Sequence, residues 1–183
     1  MCATVNKYEF KINKLQQIIY PQIVDAIEES LCYINVYNYD GLEENLNKLQ
    51  EEFLSLIHIE NKLVFPVVIS VFKENYDFTF FPNTQEIIQL TACKETKVNT
   101  YLYNIKQIVE IDETNIKNDF EAQLKKLFHL FELSYLPSKK RWNAMLQMLS
   151  PKAIQCNNRD NGMCKCDSKK NNHQQHHHHH TEK

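Results

Sequence analysis

The chain has 183 residues, enough for one domain, and 43% hydrophobic with 24% charged side chains is the profile of an ordinary globular protein. Lysine and arginine number 21 against 23 aspartates and glutamates, a formal net charge of −2, which excludes a strong electrostatic pull toward nucleic acid. Only two glycines occur in the whole chain, so glycine-dependent hairpins, bulges and phosphate-cradling loops are disfavoured and an all-α fold is left by elimination.

No run approaches the ~20 apolar residues that a membrane span needs. The N-terminal residues 1–7 lead straight into an amphipathic pattern, with no apolar signal-peptide core. The expected location is cytoplasmic, with no membrane partner and no nucleic acid. Six cysteines do not argue for a disulfide framework, because a domain of ~150 residues buries an adequate core without one. Cys2, Cys32 and Cys93 are scattered, and read as small packed hydrophobes.

The first predicted helix spans 8–37. Ile12, Leu15, Ile19, Ile23, Ala26, Ile27, Leu31 and Ile34 recur at spacings of three and four, one face of a helix. Pro21 interrupts it and predicts a kink. Gly41 marks a turn, with Asp40 as the expected cap of the next helix and Glu43 as its capping-box partner. That second helix carries the stripe Leu42, Leu46, Leu49, Phe53, Leu56, Glu60, Leu63, Val67 and Val71. Glu60 is its one charged member. Residues 74–83 form an aromatic-rich loop. Asn83 or Thr84 then caps a third helix whose stripe is Ile87, Thr91, Glu95, Val98, Leu102, Ile105 and Val109, again with one carboxylate, Glu95, on the inward face. The fourth helix has Phe120, Leu124, Leu127, Phe131 and Tyr135, then Trp142, Leu146 and Leu149 beyond Pro137.

Four long helices with short connections pack most simply as an up-down-up-down four-helix bundle over 1–150. Residues 151–183 are polar and cannot bury enough apolar surface to offset their ordering entropy, so this stretch is expected to be a disordered tail. The second and fourth helices also share a pattern at an offset of 71 residues. Leu56-Ile57-His58 and Leu127-Phe128-His129 are each followed by an apolar run and a proline eight residues after the histidine, which suggests two helix pairs related by a pseudo-twofold.

The segment His58-Ile59-Glu60-Asn61-Lys62-Leu63-Val64-Phe65-Pro66 resembles the His-x-His-x-Glu-Asn-x-x-Leu-Phe-Pro segment of hemerythrin-like (HHE cation-binding) domains. It is most similar to the branch found in di-iron proteins that repair iron–sulfur clusters. The resemblance covers about residues 8–150, and only the second-helix segment is specific; the rest is fitted by spacing. It implies a four-helix bundle with metal ligands from every helix, and a link to iron handling or nitrosative stress. At the family's ligand positions this chain has Asn13 on the first helix, Leu56 and Glu60 on the second, Glu95 on the third, and Leu127 and Phe131 on the fourth. His58 and His129 lie two residues past the ligand positions, ~200° around the helix, and should point away from the axis.

Leucine and phenylalanine coordinate nothing, so a standard di-iron centre is not expected. What remains is a carboxylate pair, Glu60 and Glu95. An ionised carboxylate is costly to bury, so each should be protonated, hydrogen-bonded or shared with a cation; a tyrosine, an inward-reaching lysine or a water would serve. If no ion is held there, Glu60→Leu leaves the fold intact or stabilises it.

The tail carries Cys156, Cys164, Cys166, His173, His176, His177, His178, His179 and His180. Thiolate and imidazole are the usual ligands of zinc, copper and nickel. The Cys164-Lys165-Cys166 pair is too close in spacing for a structural zinc finger, and fits loose chelation of one soft ion. The histidine run reads either as native or as a purification tag, although five histidines followed by Thr181-Glu182-Lys183 is not the usual form of a tag. Lys139, Lys140 and Arg141 beside Trp142 read as a solvated helix face. No Ser/His/Asp arrangement, Walker-type loop or nucleotide fingerprint is present, and no catalytic residue is assigned. Three functions compete: a hemerythrin-like protein that binds or senses metal (Zn, Ni, Cu or Fe) through its tail, a metal-free scaffold that binds another protein, and an enzyme or gas-binding site with unusual ligands.

Overall fold

A computed structural model describes residues 2–37, 41–73, 84–111, 118–137 and 139–140. Among the described residues all regular structure is helical and there is no strand. The first helix comprises Cys2–Lys14, a π-helical stretch Leu15–Ile19, and Tyr20–Tyr37. The second comprises Leu42–Ile59, a π-helical stretch Glu60–Val64, and Phe65–Phe72. The third is Thr84–Ile111 without interruption. The fourth comprises Asn118–His129 and a π-helical stretch Leu130–Tyr135, with residues 136–137 and 139–140 again helical.

Gly41 opens the second helix with a left-handed backbone, φ 78°, a conformation that costs a side-chain-bearing residue and suits glycine. Its carbonyl accepts from Asn45 Nδ2 at 2.6 Å, and Glu43 and Glu44 occupy the first turn, where the helix dipole favours negative charge. The expected cap Asp40, the 74–83 loop and the cap residue Asn83 lie outside the described residues.

The three π-helical stretches share one cause. Each ends two residues before a proline: Ile19 before Pro21, Val64 before Pro66, Tyr135 before Pro137. A proline has no N–H, and its ring collides with the carbonyl four residues back. In each helix the last N–H ahead of the proline reaches one residue further than an α-helix would, from Tyr20 to the Leu15 carbonyl, from Phe65 to Glu60 and from Leu136 to Phe131. Such a five-residue reach is a π-turn. At Pro21, where a kink is expected, the helix widens in this way and Tyr20–Tyr37 continues as helix. Because the first helix has the same device, the proline signature is common to three helices and not special to the 71-residue repeat.

A wide turn inserts one residue, so the inward stripe slips by one. The expected second-helix stripe holds through Leu42, Leu46, Leu49, Phe53, Leu56 and Glu60, all buried. At the end of the π-turn Val64 is buried at 2% exposure, and Phe65, Val67 and Val68 join it, while Leu63 is only partly covered. Most of the remaining expected stripe residues form the core: Ile12, Leu15, Ile19, Ile23, Ala26, Ile27 and Ile34 from the first helix, Ile87, Thr91, Val98 and Ile105 from the third, and Phe120, Leu124, Leu127, Phe131 and Tyr135 from the fourth, while Leu31, Leu102 and Val109 are only partly buried against it. His58 and His129 are exposed, as their positions on the helix require. Of the scattered cysteines, Cys93 is buried and Cys32 exposed.

The start of the first helix packs on the end of the second, and the end of the first on the start of the second, so these two run antiparallel. The second helix packs along the third, and the first along the fourth. By length and composition alone, Leu42–Ser70 is apolar enough to cross a membrane, which a count of consecutive apolar residues did not register. Seven of its apolar side chains, Leu42, Leu46, Leu49, Phe53, Leu56, Val67 and Val68, are fully buried, while Leu54 is exposed.

Candidate functional site

Three π-turns meet at one level of the molecule, and each delivers a polar side chain there. Tyr20 closes the first, Glu60 opens the second and Tyr135 ends the third. One turn beyond Tyr135 on the fourth helix, Lys139 reaches the same point. All four residues are buried, at 3%, 2%, 3% and 4% exposure.

Glu60 is the hub. Its Oε2 accepts a short hydrogen bond from the Tyr20 hydroxyl. Its Oε1 accepts from Lys139 Nζ at 3.0 Å and from the Tyr135 hydroxyl at 3.3 Å. Lys139 Nζ also donates to the Tyr135 hydroxyl at 2.7 Å and lies 2.9 Å from Glu95 Oε1. The three protons of the ammonium thus match three acceptors: Glu60, Glu95 and Tyr135. Tyr135 donates to Glu60 and accepts from Lys139, so its one hydroxyl is used in both senses. Glu95 is the outermost member, its side chain 20% exposed against 5% for Lys139 and 3% for Glu60.

Burial pushes both phenols well above the ordinary tyrosine range, and the Glu60 carboxylate beside them pushes further in the same direction. Tyr20 and Tyr135 are therefore neutral hydrogen-bond donors to Glu60 at any physiological pH.

Toward the other end of the molecule the interior turns apolar at once. Phe53 meets Tyr20 and Tyr135 edge-on, with ring centroids 6.0 and 5.5 Å away, and Phe131 at 5.1 Å. Leu56 and Leu127 are fully buried and Phe131 is 1% exposed. Three of the ligand positions of the family resemblance, Leu56 on the second helix and Leu127 and Phe131 on the fourth, are thus filled with hydrocarbon. Asn13 is exposed and lies on the rim of a groove between the first two helices, beside Gln16, Asn61 and Phe65. It does not reach the cluster.

The residues present do not fit a di-iron centre. The two carboxylates that could bridge metal ions both face the Lys139 ammonium, Leu56, Leu127 and Phe131 offer only carbon, and Asn13 lies away on the groove rim. Among the described residues no group of three or more His, Cys, Asp or Glu side chains could hold a metal ion. Chemically, the cluster is a closed ion pair with two phenols as auxiliary donors.

Of the sequence-derived candidates, Glu60 and Glu95 are brought together, bridged by Lys139. Cys156, Cys164, Cys166, His173 and His176 to His180 lie outside the described residues, as do Trp142, Leu146 and Leu149. Sequence reasoning missed Tyr20 and Lys139 as members of the cluster. The signal for Lys139 was its spacing: Leu127, Phe131, Tyr135 and Lys139 are four apart, so the lysine continues the inward stripe. A second buried carboxylate also went unremarked. Glu52, on the second helix, takes Lys94 at 2.6 Å and Lys97 at 3.2 Å from the third helix.

Compared with protein-family models, with curated proteins and with solved structures, the chain finds no match.

Proposed function

We propose that this chain is a hemerythrin-like up-down-up-down four-helix bundle that has exchanged its metal centre for an internal ion pair. In this reading it serves as a metal-free scaffold for a Cys/His-rich tail that captures zinc, nickel or copper. The observation that carries the reading is Lys139 Nζ, 3.0 Å from Glu60 and 2.9 Å from Glu95, a fixed positive charge between the two carboxylates that a bundle metal would need. The second-helix segment 58–66 supports the family resemblance, and the thiolate and imidazole content of 156–180 supports soft-metal binding by the tail. The resemblance further suggests a cytoplasmic protein concerned with iron handling or nitrosative stress. No catalytic step is assigned, because every polar group in the cluster is engaged by another.

Elemental analysis of the full chain tests this. After equilibration with zinc, nickel, copper and ferrous iron in turn, the protein should retain the first three and no iron. A full-length variant with Cys156, Cys164 and Cys166 changed to Ser and the six tail histidines to Ala should lose the retained metal. Two iron ions per chain, kept by both proteins, would overturn the proposal. Retention of no metal by either would move the function to a protein-binding scaffold.

A further inference from the structure

We infer that Tyr20 is a redox site: it can surrender one electron to a one-electron oxidant while its hydroxyl proton passes to Glu60, leaving a sheltered tyrosyl radical. This goes beyond the metal chemistry of the tail and uses only side chains of the bundle.

Loss of an electron makes a phenol strongly acidic, so the reaction is favoured where a base already holds the phenol proton. The Tyr20 hydroxyl donates directly to Glu60 Oε2. Tyr20 is 3% exposed and Glu60 2%, so the carboxylate receives the proton in place of water. The step balances within the cluster. The O–H bond of Tyr20 breaks, an O–H bond forms on Glu60 Oε2, and the electron reduces the oxidant. The products are a neutral phenoxyl radical and a neutral carboxylic acid whose new proton points back at the phenoxyl oxygen. Returning the electron reverses both transfers.

Charge favours the loss. Two carboxylates, Glu60 and Glu95, face the single ammonium of Lys139, an excess of one negative charge. Such an excess is costly away from water, and removal of one electron cancels it. Lys139 is not stranded by the change. It keeps Glu95 as counter-ion at 2.9 Å, and Glu60 Oε1, 3.0 Å away, still accepts from it as the carbonyl oxygen of the acid.

The same geometry selects Tyr20 over Tyr135, although their ring centroids are only 6.2 Å apart. The Tyr135 hydroxyl lies 2.7 Å from the Lys139 ammonium, which opposes oxidation of that ring. Its own bond to Glu60 Oε1 is 3.3 Å, long for a hydroxyl donor. Beside Tyr20 stands Phe53, edge-on at 6.0 Å and fully buried. That ring has no labile hydrogen to give, so the radical persists out of reach of solvent and of other radicals.

The test uses the full chain and tris(bipyridine)ruthenium(III) as oxidant, generated by a laser flash with a sacrificial cobalt(III) acceptor. Radicals are followed by absorbance and by electron paramagnetic resonance of freeze-quenched samples. A tyrosyl signal should outlast that of free tyrosine treated in the same way. Tyr20→Phe should abolish the persistent signal, and Tyr135→Phe should keep it. If either variant fails to fold, meta-fluorotyrosine placed at Tyr20 or at Tyr135 retains the hydroxyl and its hydrogen bond. Fluorine should split the persistent signal when it labels Tyr20 and not when it labels Tyr135. In wild type the yield should be level from about pH 6 to about pH 9, below ordinary tyrosine ionisation, because the proton goes to Glu60 and not to buffer. Absence of a persistent signal, a signal unsplit by fluorine at Tyr20, or a yield that climbs with pH like that of an exposed phenol would each overturn the inference. None of these outcomes bears on metal retention by the tail, so the two proposals fail separately.

Discussion

Replacing Glu60 by leucine is the sharpest probe of the interior. The side chain is 2% exposed and serves as acceptor for Tyr20, Tyr135 and Lys139. Its removal leaves Lys139 with Glu95 and Tyr135 alone, and strips the Tyr20 hydroxyl of its partner. Breaking a buried ion pair from one side costs about 3–5 kcal/mol, because the remaining charge is stranded away from water. Against a total stability of about 5–15 kcal/mol that is a large fraction. At about 2–4 °C per kcal/mol for a chain of this size, the midpoint of thermal unfolding should fall by about 6–20 °C. The double variant Glu60→Leu/Lys139→Met removes both charges and fills the space with hydrocarbon, and such exchanges are neutral or stabilising by about 1–4 kcal/mol. Urea denaturation of the two singles and the double forms a thermodynamic cycle in which the double should be more stable than either single, a departure from additivity expected of residues in direct contact. A loss under about 1 kcal/mol for Glu60→Leu, or a double variant no better than the single, would refute the claim that this ion pair is closed and desolvated.

Three other perturbations separate this cluster from its surroundings. Glu52→Leu should cost only about 0–1 kcal/mol in urea, since its partners Lys94 and Lys97 are 24% and 30% exposed and can turn to water, as partners in surface ion pairs do; a loss matching that of Glu60→Leu would show that this pair is also desolvated. Leu127→Ala, at a fully buried position, should cost about 2–5 kcal/mol through the cavity it leaves, and a negligible change in the denaturation midpoint would place that side chain outside the core. Alkaline titration has a definite sign. Tyr20 and Tyr135 have their protons held more tightly in the folded chain than in the unfolded one. Stability is therefore fully present below the ordinary tyrosine pKa of about 10 and declines as pH rises beyond it, where only the unfolded state releases those protons. Tyrosinate absorbance at 295 nm should show these two phenols ionising together with the loss of helix by circular dichroism; their titration in a still-folded chain would contradict the burial described above.

The apolar stripes were legible because a helix that buries one face must repeat at three and four, and most core residues of the first, third and fourth helices lie where that rule puts them, Tyr20 and Cys93 excepted. The same rule put Glu60 and Glu95 inside and His58 and His129 outside. It failed in the wide turn ahead of a proline. Leu63 is where a regular helix would turn inward, but the wide turn ahead of Pro66 brings Val64 inward instead, and no local periodicity announces a π-turn. It also failed for Lys139, because a charged residue beside Lys140 and Arg141 looks like part of a solvated face. Only the carboxylates on two other helices make its burial tolerable, and that is a fact about partners distant in sequence, Glu60 and Glu95 lying 79 and 44 positions away. The substitution Glu60→Leu shows what this omission costs: without the lysine it looks harmless, and with the lysine it is among the most damaging changes available.

The prolines at 21, 66 and 137 have a consequence for how variation in this chain should be read. Each is preceded by a turn that holds one residue too many, so the wave of tolerance to substitution along the first, second and fourth helices should jump in phase by about 100° at these points, while the third helix, which has no such turn, should keep one unbroken phase from Thr84 to Ile111. A single-residue deletion inside one of the wide turns should therefore be better tolerated than the same deletion two turns away, because it would restore an ordinary helical repeat where the other would rotate half a helix out of the core.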